Sequence, residues 1–252
     1  MKLLLIGAGN MGGALLSRWA QIHDVTVVET NSKQARLLEE SHRCRAIAGE
    51  ADVTGAIVIL AVKPQAIESV RARGKAEAIV SIMAGIELSV IKERFSADRY
   101  ARAMPNLAAL YGKSATALCG DESFKGEALE LFGAAGSAVW LESEKELAIA
   151  TALSSAVGFL ALGAEALANG ATRLGMKTAD AHKLTASLFE GVGELLKHEH
   201  PALLKERVTS AGGTTAAGLA ALEREGARHA FYEAIRAAFE RSNELALAAK
   251  CL

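Results

Sequence analysis

Proline, cysteine and aromatic residues are scarce in this chain, and their scarcity limits the kinds of protein that it can be. The 252 residues include 3 prolines, 3 cysteines and 5% aromatic residues. The cysteines, Cys44, Cys119 and Cys251, are odd in number, widely spaced and form no C-x-x-C pair. This pattern argues against a disulfide framework and favours free thiols in a reducing compartment. The sequence therefore predicts a cytoplasmic protein.

An excess of charge of either sign is also missing. The formal net charge is -1 at pH 7, and the basic residues do not cluster into a stripe. A nucleic-acid partner is therefore not expected. His198 and His200 flank Glu199, but residues two apart do not share a helix face, so these side chains predict a solvated loop and no metal site.

Long apolar runs are few, and two of them resemble membrane or targeting signals. The N-terminal run beginning at Lys2 is interrupted early by glycines and Asn10, unlike a signal peptide. Residues 147–164 are uncharged over a length that just reaches the transmembrane threshold. They are rich in alanine, serine and glycine and lack basic flanks. They predict a helix that is buried on most faces, in a core or a subunit interface, and no membrane partner.

The first half of the chain alternates short apolar strands with helical patterns, which predicts βαβ units and a mostly parallel sheet. Helices are expected from about Asn10 to Ala20 and from Ser32 to Glu40, the second one capped by Asn31 or Ser32. Strands are expected at residues 2–6, 25–29, 56–62, 78–84, 99–105, 114–118 and 137–142. The fold class is α/β, with an N-terminal Rossmann domain over residues 1–145.

The character of the sequence changes near Glu144. Alanine, leucine and glutamate then dominate, and apolar residues recur at intervals of three and four. This pattern predicts an all-α C-terminal domain over residues 146–252. Helix breaks are expected near Asn169-Gly170, at Gly175 and at Gly212-Gly213.

The sequence GAGNMG, Gly7 to Gly12, follows the first strand and opens the first helix. Gly7 allows the tight turn, Gly9 lets the backbone approach a pyrophosphate, and Gly12 permits close packing of helix on strand. The phosphates would lie at the helix N-terminus, where free amides favour negative charge. This context predicts a dinucleotide site.

The second strand ends at Glu29, where an acid would bind the ribose 2′-hydroxyl of NAD. Asn31, Ser32 and Lys33 follow at once and could hold a 2′-phosphate instead, although the turn has no arginine. The choice between NADH and NADPH stays open on these residues.

Further motifs extend over almost the whole chain. They are LAVKPQ at residues 60–65, RAMPN at 102–106, HPALLKERVTSAGGTTAAGLAALE at 200–223 and RSNEL at 241–245. Each of the 3 prolines falls in one of them, at Pro64, Pro105 and Pro201. In order and spacing the motifs resemble the pyrroline-5-carboxylate reductase family.

The resemblance implies reduction of 1-pyrroline-5-carboxylate to L-proline, the last step of proline biosynthesis, by hydride transfer from NADPH or NADH, with NADPH as the first expectation. The small-molecule partner would be an imino acid, and the protein a homodimer or a ring of dimers whose helical domain joins the subunits. The resemblance, with the residue arguments above, predicts a cofactor site made of Gly7, Gly9, Asn10, Met11, Gly12, Asn31, Ser32, Ala61, Val62, Lys63, Pro64 and Asn106.

The resemblance also assigns the loop that receives the substrate carboxylate. Its residues would be Ser210, Gly212, Gly213, Thr214 and Thr215. Thr215 would carry the catalytic hydroxyl nearest the ring nitrogen. The same Gly-Gly break would also serve as an ordinary capped turn between helices, and the two roles are compatible. Lys63 is expected to be structural or directed at the cofactor, with a general-acid role as the alternative.

Several positions depart from the family pattern. Leu107-Ala108 replaces Thr-Pro, residues 154–160 keep only the first serine of a Ser-Gly-Ser-Gly-Pro-Ala-Tyr run, Ala211 replaces proline and Ser187-Leu188 replaces Gln-Thr. These changes leave two alternatives open: a reductase of a related cyclic imine, and a non-catalytic dinucleotide-binding sensor. A hydroxyacid dehydrogenase or ketopantoate-type reductase would need a lysine in the helix at residues 147–170, which has none.

Overall fold

The structure is a computed structural model that describes residues 1–249, so the predicted free thiol of Cys251 lies outside the described residues. The chain forms two compact units. The first contains residues 1–155 together with the segment that begins at Ala238, and the second contains residues 156–237.

The first unit is built on a sheet and its flanking helices. Its helices are α1 (Asn10–Trp19), α2 (Ser32–Ser41), α3 (Leu88–Arg94), α4 (Lys125–Gly133) and α5 (Glu144–Ser154), with short 3-10 helices at Pro64–Ser69, Leu107–Tyr111 and Glu122–Phe124. The strands are β1 (Lys2–Ile6), β2 (Asp24–Val28), β3 (Cys44–Ile47), β4 (Ala51–Asp52), β5 (Ile57–Leu60), β6 (Ala72–Arg73), β7 (Ala76–Ser81), β8 (Ala97–Met104), β9 (Ser114–Gly120) and β10 (Gly136–Trp140).

The main sheet has the strand order β10-β9-β8-β7-β5-β1-β2-β3, while β4 and β6 pair separately. All neighbouring strands of the main sheet are parallel except β8 and β9. The predicted Rossmann fold with a mostly parallel sheet is therefore confirmed. The edge strand β3 has no counterpart among the predicted strands, because its side chains alternate between half-buried and exposed and form no apolar run.

Two apolar layers cover the two faces of this sheet, because successive residues of each strand point to opposite sides. On one face Leu3 and Leu5 pack in the cluster that contains Trp19 of α1. On the other face Leu4 and Ile6 join the cluster around Met83. Burial on both faces explains why the central strands read as continuous apolar runs.

Trp19 ties the C-terminal end of α1 to this core. Its indole Nε1–H donates a hydrogen bond to the carbonyl oxygen of Leu131, 2.8 Å away. Its ring meets Phe132 edge-on, with centroids 5.3 Å apart and an interplanar angle of 88°. Anchoring this end of α1 holds its N-terminus at the carboxyl edge of the sheet, where ligands bind in such folds.

The second unit is helical, as predicted for this half of the chain. Its elements are α6 (Ala156–Arg173), α7 (Thr178–Leu195), α8 (Pro201–Arg207), α9 (Thr214–Arg224) and most of α10 (Ala227–Ala249). The breaks expected at Gly175 and Gly212 are confirmed, with φ angles of +104° and +69°. The break expected at Asn169-Gly170 is wrong, because both residues lie inside α6. A single helical glycine costs only about 1 kcal/mol relative to alanine.

The single helix expected over residues 147–164 is divided between α5, where Leu147 and Ala152 are buried, and α6, which is largely exposed within this chain. Ala168 is the buried residue of α6, whereas the side chains of Leu160 and Leu162 are 51% and 67% exposed. Burial in a core of this chain is therefore wrong for α6, and the subunit-interface alternative remains. By length and composition Glu144–Arg173 could also cross a membrane, a test that helices of soluble proteins pass as well.

Candidate functional site

The loop after β1 has a conformation that requires glycine at its first position. Gly7 has φ +91°, in the left-handed region, and its N–H still donates to the carbonyl of Val28 at 3.0 Å. A Cβ atom placed there would lie 2.9 Å from Cγ1 of Val62 and 3.0 Å from the carbonyl oxygen of Ala61. The chain therefore turns sharply here, with the end of β5 packed directly beneath it.

Gly9 and Gly12 are glycines for two different reasons. A Cβ on Gly12 would collide with the carbonyl oxygen of Gly7 and lie 3.2 Å from the Cβ of Ala61. A Cβ on Gly9 would meet nothing within 4 Å. Gly12 is thus required by protein packing, whereas the protein itself leaves open space beside Gly9. Such space beside a backbone is what an approaching pyrophosphate needs.

The N-terminus of α1 is free to bind an anion. Gly9 is its N-cap residue, no side chain caps the helix, and the first turn contains no acidic residue. The amides of the first turn, which include those of the predicted ligands Asn10 and Met11, have no partner within the helix. Together with the open space beside Gly9, this arrangement fits a dinucleotide pyrophosphate.

A cavity of about 810 Å³ begins at this helix terminus. Of the twelve predicted cofactor residues, Gly9, Asn10 and Asn31 line it. The other nine do not, and they are Gly7, Met11, Gly12, Ser32, Ala61, Val62, Lys63, Pro64 and Asn106. The motif argument did not include Gln34, Leu107 and Leu110, which also line the cavity. The only sequence signal for Leu107 was its departure from the family pattern.

Glu29 and Asn31 are held in fixed positions at the end of β2. The Glu29 carboxylate also lines the cavity, and its Oε1 accepts the backbone N–H of Asn31 at 3.0 Å. The carboxamide Oδ1 of Asn31 accepts the backbone N–H groups of Lys33 and Gln34 at 3.0 and 3.2 Å. Asn31, of the two predicted candidates, is therefore the N-cap of α2.

The segment after β5 runs along the same edge of the sheet. Ala61 and Val62 are half-buried against the glycine loop, and Lys63 is exposed. Lys63 is the N-cap residue of the 3-10 helix that begins at Pro64, where proline needs no amide partner. In the described part of the chain, the Lys63 ammonium has no hydrogen-bond or ion-pair partner.

Asn106 follows β8, which is separated from β5 by β7 in the sheet. Its backbone N–H donates to the Ser114 hydroxyl at 3.1 Å, and its Oδ1 accepts the N–H of Ala108 at 3.1 Å. Asn106 thereby caps the 3-10 helix that carries Leu107 and Leu110 to the cavity. Its carboxamide oxygen accepts one backbone N–H, which leaves the second lone pair of the oxygen and the NH₂ group for other contacts.

Arg102, the first residue of RAMPN, is a structural residue that the motif argument did not interpret. Its side chain is 7% exposed, and its Nη1 donates to Oε1 of Glu144 at 2.8 Å. The same carboxylate oxygen accepts the backbone N–H of Leu88 at 3.1 Å. This pair ties the end of β8 to the beginnings of α3 and α5, and so holds the segment that leads into Asn106.

The GGTT loop lies in the second unit, between α8 and α9. The N–H of Gly213 donates to the carbonyl of Ser210 at 3.0 Å, which closes a turn with Gly212 at φ +69°. Gly213 is the N-cap residue of α9, no side chain caps this helix, and its first turn has no acidic residue. The hydroxyl of Ser210 packs against Gly213, where a Cβ would collide with it.

The predicted substrate residues are therefore contiguous around one helix start. Thr214 is exposed and Thr215 is half-buried, and both lie in the first turn of α9. Amides and hydroxyls at one uncapped helix N-terminus are suited to a carboxylate.

The remaining polar candidates have local roles. His200 caps α8, with its Nδ1 accepting the N–H of Ala202 at 3.2 Å, and His198 lies 3.5 Å from a carboxylate oxygen of Glu194. Cys44 and Cys119 are free thiols. Burial raises the pKa of the Cys119 thiol to about 11, so at neutral pH it is protonated and unreactive. Within the described residues, no group of three or more His, Cys, Asp or Glu side chains could hold a metal ion.

The chain is similar to known proteins over nearly its full length. Residues 144–245 match the family model described as pyrroline-5-carboxylate reductase dimerisation, and residues 2–85 match the model described as NADP oxidoreductase, coenzyme F420-dependent. A pyrroline-5-carboxylate reductase of Thermus thermophilus is 38% identical over 97% of this chain and 98% of the relative.

Solved structures agree with this similarity. A pyrroline-5-carboxylate reductase from Coxiella burnetii is 27% identical, with a TM-score of 0.84 over 96% of this chain and 97% of that one. Plasmodium falciparum pyrroline carboxylate reductase, solved with NADP bound, has the same fold with a TM-score of 0.79 at 23% identity, over 98% of this chain and 100% of that one.

Proposed function

Because the chain belongs to the pyrroline-5-carboxylate reductase family, we propose that its glycine loop and its GGTT loop divide the binding of dinucleotide and imino acid between them. Family membership assigns the activity, which is reduction of 1-pyrroline-5-carboxylate to proline with NAD(P)H. It also assigns a small-molecule substrate and oligomerisation through the C-terminal region. Residues 1–145 would be the dinucleotide-binding domain and residues 146–252 the dimerisation and substrate-binding domain.

The observation that supports the cofactor assignment is the open space beside Gly9 at an uncapped helix terminus. Gly7, Gly9, Asn10, Met11 and Gly12 would hold the pyrophosphate, with Asn31 and Ser32 at the adenosine end. The segment Ala61–Pro64 and Asn106 would border the nicotinamide end, at the carboxyl edge of the sheet. Lys63 would act as a counter-charge to the dinucleotide, since its ammonium is exposed and has no described partner.

The observation that carries the substrate assignment is the GGTT turn itself. Its positive-φ glycine exposes the first turn of α9, and no side chain competes for the amides there. The amides of Thr214 and Thr215, with the Ser210 hydroxyl, would bind the substrate carboxylate by charge-assisted hydrogen bonds. The half-buried hydroxyl of Thr215 would lie nearest the ring nitrogen.

The reaction depends on the positioning of substrate and cofactor more than on acid–base catalysis by side chains. Bound NAD(P)H supplies a hydride to the carbon of the C=N bond. The imine nitrogen takes its proton from water before this transfer, so that the ring accepts the hydride as an iminium and leaves as the secondary amine of proline. The residues of this chain would hold the carboxylate, orient the C=N bond and limit access of water.

The proposal also covers the cellular compartment and the assembly of subunits. The free thiols of Cys44 and Cys119 support a reducing, cytoplasmic environment. The exposed apolar face of α6 supports a homodimer as the basic unit, from which a ring of dimers could be assembled.

The substrate loop is tested by combining variants with two substrates, pyrroline-5-carboxylate and 1-pyrroline, which lacks the carboxylate. We expect Ser210→Ala to raise KM for pyrroline-5-carboxylate about tenfold, since it removes a hydrogen bond to a charged group. It should leave the kinetics with 1-pyrroline unchanged. Thr215→Ala should lower kcat about 10- to 100-fold with both substrates, because its hydroxyl serves the ring and not the carboxylate.

Thr215→Ser is the matched control and should retain most of the turnover. Cofactor affinity, measured by the change of nicotinamide fluorescence on binding, should be equal in all variants. If Ser210→Ala raises KM equally for both substrates, the loop does not hold the carboxylate. If Thr215→Ala turns over at the wild-type rate, the hydroxyl has no catalytic role.

A further inference from the structure

Among the described residues that line the dinucleotide cavity, Glu29 is the one carboxylate and His42 is the one basic side chain, and these charges bear on the cofactor that the cavity selects. Glu29 lines the cavity beside Gly9 and Asn10. Among the residues that the structure describes, no lysine or arginine lines it. NADPH differs from NADH by a 2′-phosphate, which carries nearly two negative charges at neutral pH.

The carboxylate of Glu29 cannot easily turn away from this position. It is half-buried, and its Oε1 accepts the backbone N–H of Asn31 at 3.0 Å. A carboxylate at the end of the second strand of a Rossmann fold is placed to accept hydrogen bonds from the ribose hydroxyls of NAD. The same group repels a 2′-phosphate.

The N-terminus of α2 does not compensate for this repulsion. The Oδ1 atom of Asn31 already accepts the backbone N–H groups of Lys33 and Gln34, at 3.0 and 3.2 Å. Two of the amides that would otherwise bind a phosphate are therefore engaged. The carboxamide nitrogen of Asn31 and the side chain of Gln34 remain, and both are neutral.

The cations of α2 lie on a different face of the helix. Gln34, Leu37, Leu38 and Ser41 line the cavity and recur at intervals of three and four. Lys33 and Arg36 fall between these positions and are exposed outside the cavity lining. The cationic side chains that the sequence suggested for this turn therefore lie outside the cavity lining.

We propose that Glu29 makes this reductase selective for NADH over NADPH. The inference rests on the proposed cofactor site and specifies the ligand of its adenosine end. A fixed carboxylate in a cavity that no lysine or arginine lines would bind the ribose 2′-hydroxyl of NADH and disfavour the phosphate of NADPH.

The test measures dissociation constants of NADH and NADPH for the whole protein by nicotinamide fluorescence, without imine. We expect wild type to bind NADH at least about tenfold more tightly than NADPH at low salt, and the difference to shrink as salt screens the repulsion. Glu29→Gln keeps the size of the side chain and removes its charge, so it should reduce the preference to within about threefold. Glu40→Gln, an exposed carboxylate of α2 outside the cavity, is the matched control and should keep the wild-type ratio.

Gln34→Arg provides a second variant at a half-buried position on the cavity face, and it should raise NADPH affinity while Glu29 is still present. Equal affinities in wild type, or tighter binding of NADPH, would overturn the inference and leave the proposed function standing. An unchanged preference in Glu29→Gln would overturn the role of Glu29. Binding of neither dinucleotide would overturn the proposed cofactor site as well.

Discussion

At the scale of single residues, the glycine loop shows that one motif can combine separate physical requirements. Gly7 has a backbone conformation that other residues rarely adopt, and Gly12 lacks room for a side chain against the Gly7 carbonyl. Gly9 has an ordinary φ of -66° and open space around it. Of these three glycines, Gly9 alone has no packing or backbone reason to be glycine, and we propose that its reason is the approach of a dinucleotide.

This difference predicts opposite results for two alanine substitutions. Gly9→Ala should leave thermal stability close to wild type and weaken dinucleotide binding about tenfold or more, because the new methyl group occupies pyrophosphate space. Gly12→Ala should lower stability by about 1–3 kcal/mol, since it overpacks the contact of helix and loop. Thermal denaturation and nicotinamide fluorescence titration distinguish the two. Unchanged affinity in Gly9→Ala would remove that residue from the site.

At the scale of elements, the N-cap residue of α2, Asn31, also lines the cavity that we propose for the cofactor. The helix has 10 residues, of which Leu38 is buried, and its N-cap Asn31 binds two backbone amides. A helix of this length is marginal in isolation, and with Leu38 as its buried residue α2 has little packing to add to its cap.

We expect Asn31→Ala to lower stability by about 1 kcal/mol, the usual cost of losing an N-cap side chain. Asn31→Ser retains a capping oxygen and should recover most of the loss. Urea denaturation without dinucleotide, at one fixed protein concentration, measures both. Equal stability of the alanine variant and wild type would show that the cap contributes nothing to folding.

At the scale of the whole molecule, the second unit cannot bury its own apolar surface. Of its described apolar side chains, only Ala168, Ala181 and Leu204 are buried. Large ones on α6 and α7, such as Leu160 and Leu188, are more than half exposed. An apolar surface of this extent indicates a protein interface, in agreement with a dimerisation domain.

A charge on this surface should therefore disrupt the oligomer. We expect Leu160→Glu to shift the protein from dimer or larger to monomer, because an unpaired carboxylate buried in an interface costs several kcal/mol. Ile22→Glu makes the same change at a 59% exposed residue outside the dimerisation region and should leave the assembly intact. Sedimentation velocity of both variants provides the measurement. A wild-type assembly in Leu160→Glu would show that this part of α6 lies outside the interface.

The sequence by itself determined the apolar strands of the Rossmann half, its first two helices, the glycine loop after β1 and the turn at Gly212, whereas β3, β4, β6, α3 and α4 had no predicted counterpart. These features are local, since they follow from apolar periodicity and from the φ angles that glycine permits. The sequence also determined the family, because the motifs of that family recur in order along the chain.

Only the tertiary structure decided which groups meet across long distances in the chain. The ion pair of Arg102 and Glu144 joins residues 42 positions apart, and no local pattern indicates it. The face of α2 that borders the cavity, and hence the absence of Lys33 and Arg36 from the cavity lining, depends on how that helix is placed in the fold beside β3. Exposure of α6 likewise could not be predicted, because an apolar helix has the same composition in a core and at a subunit interface.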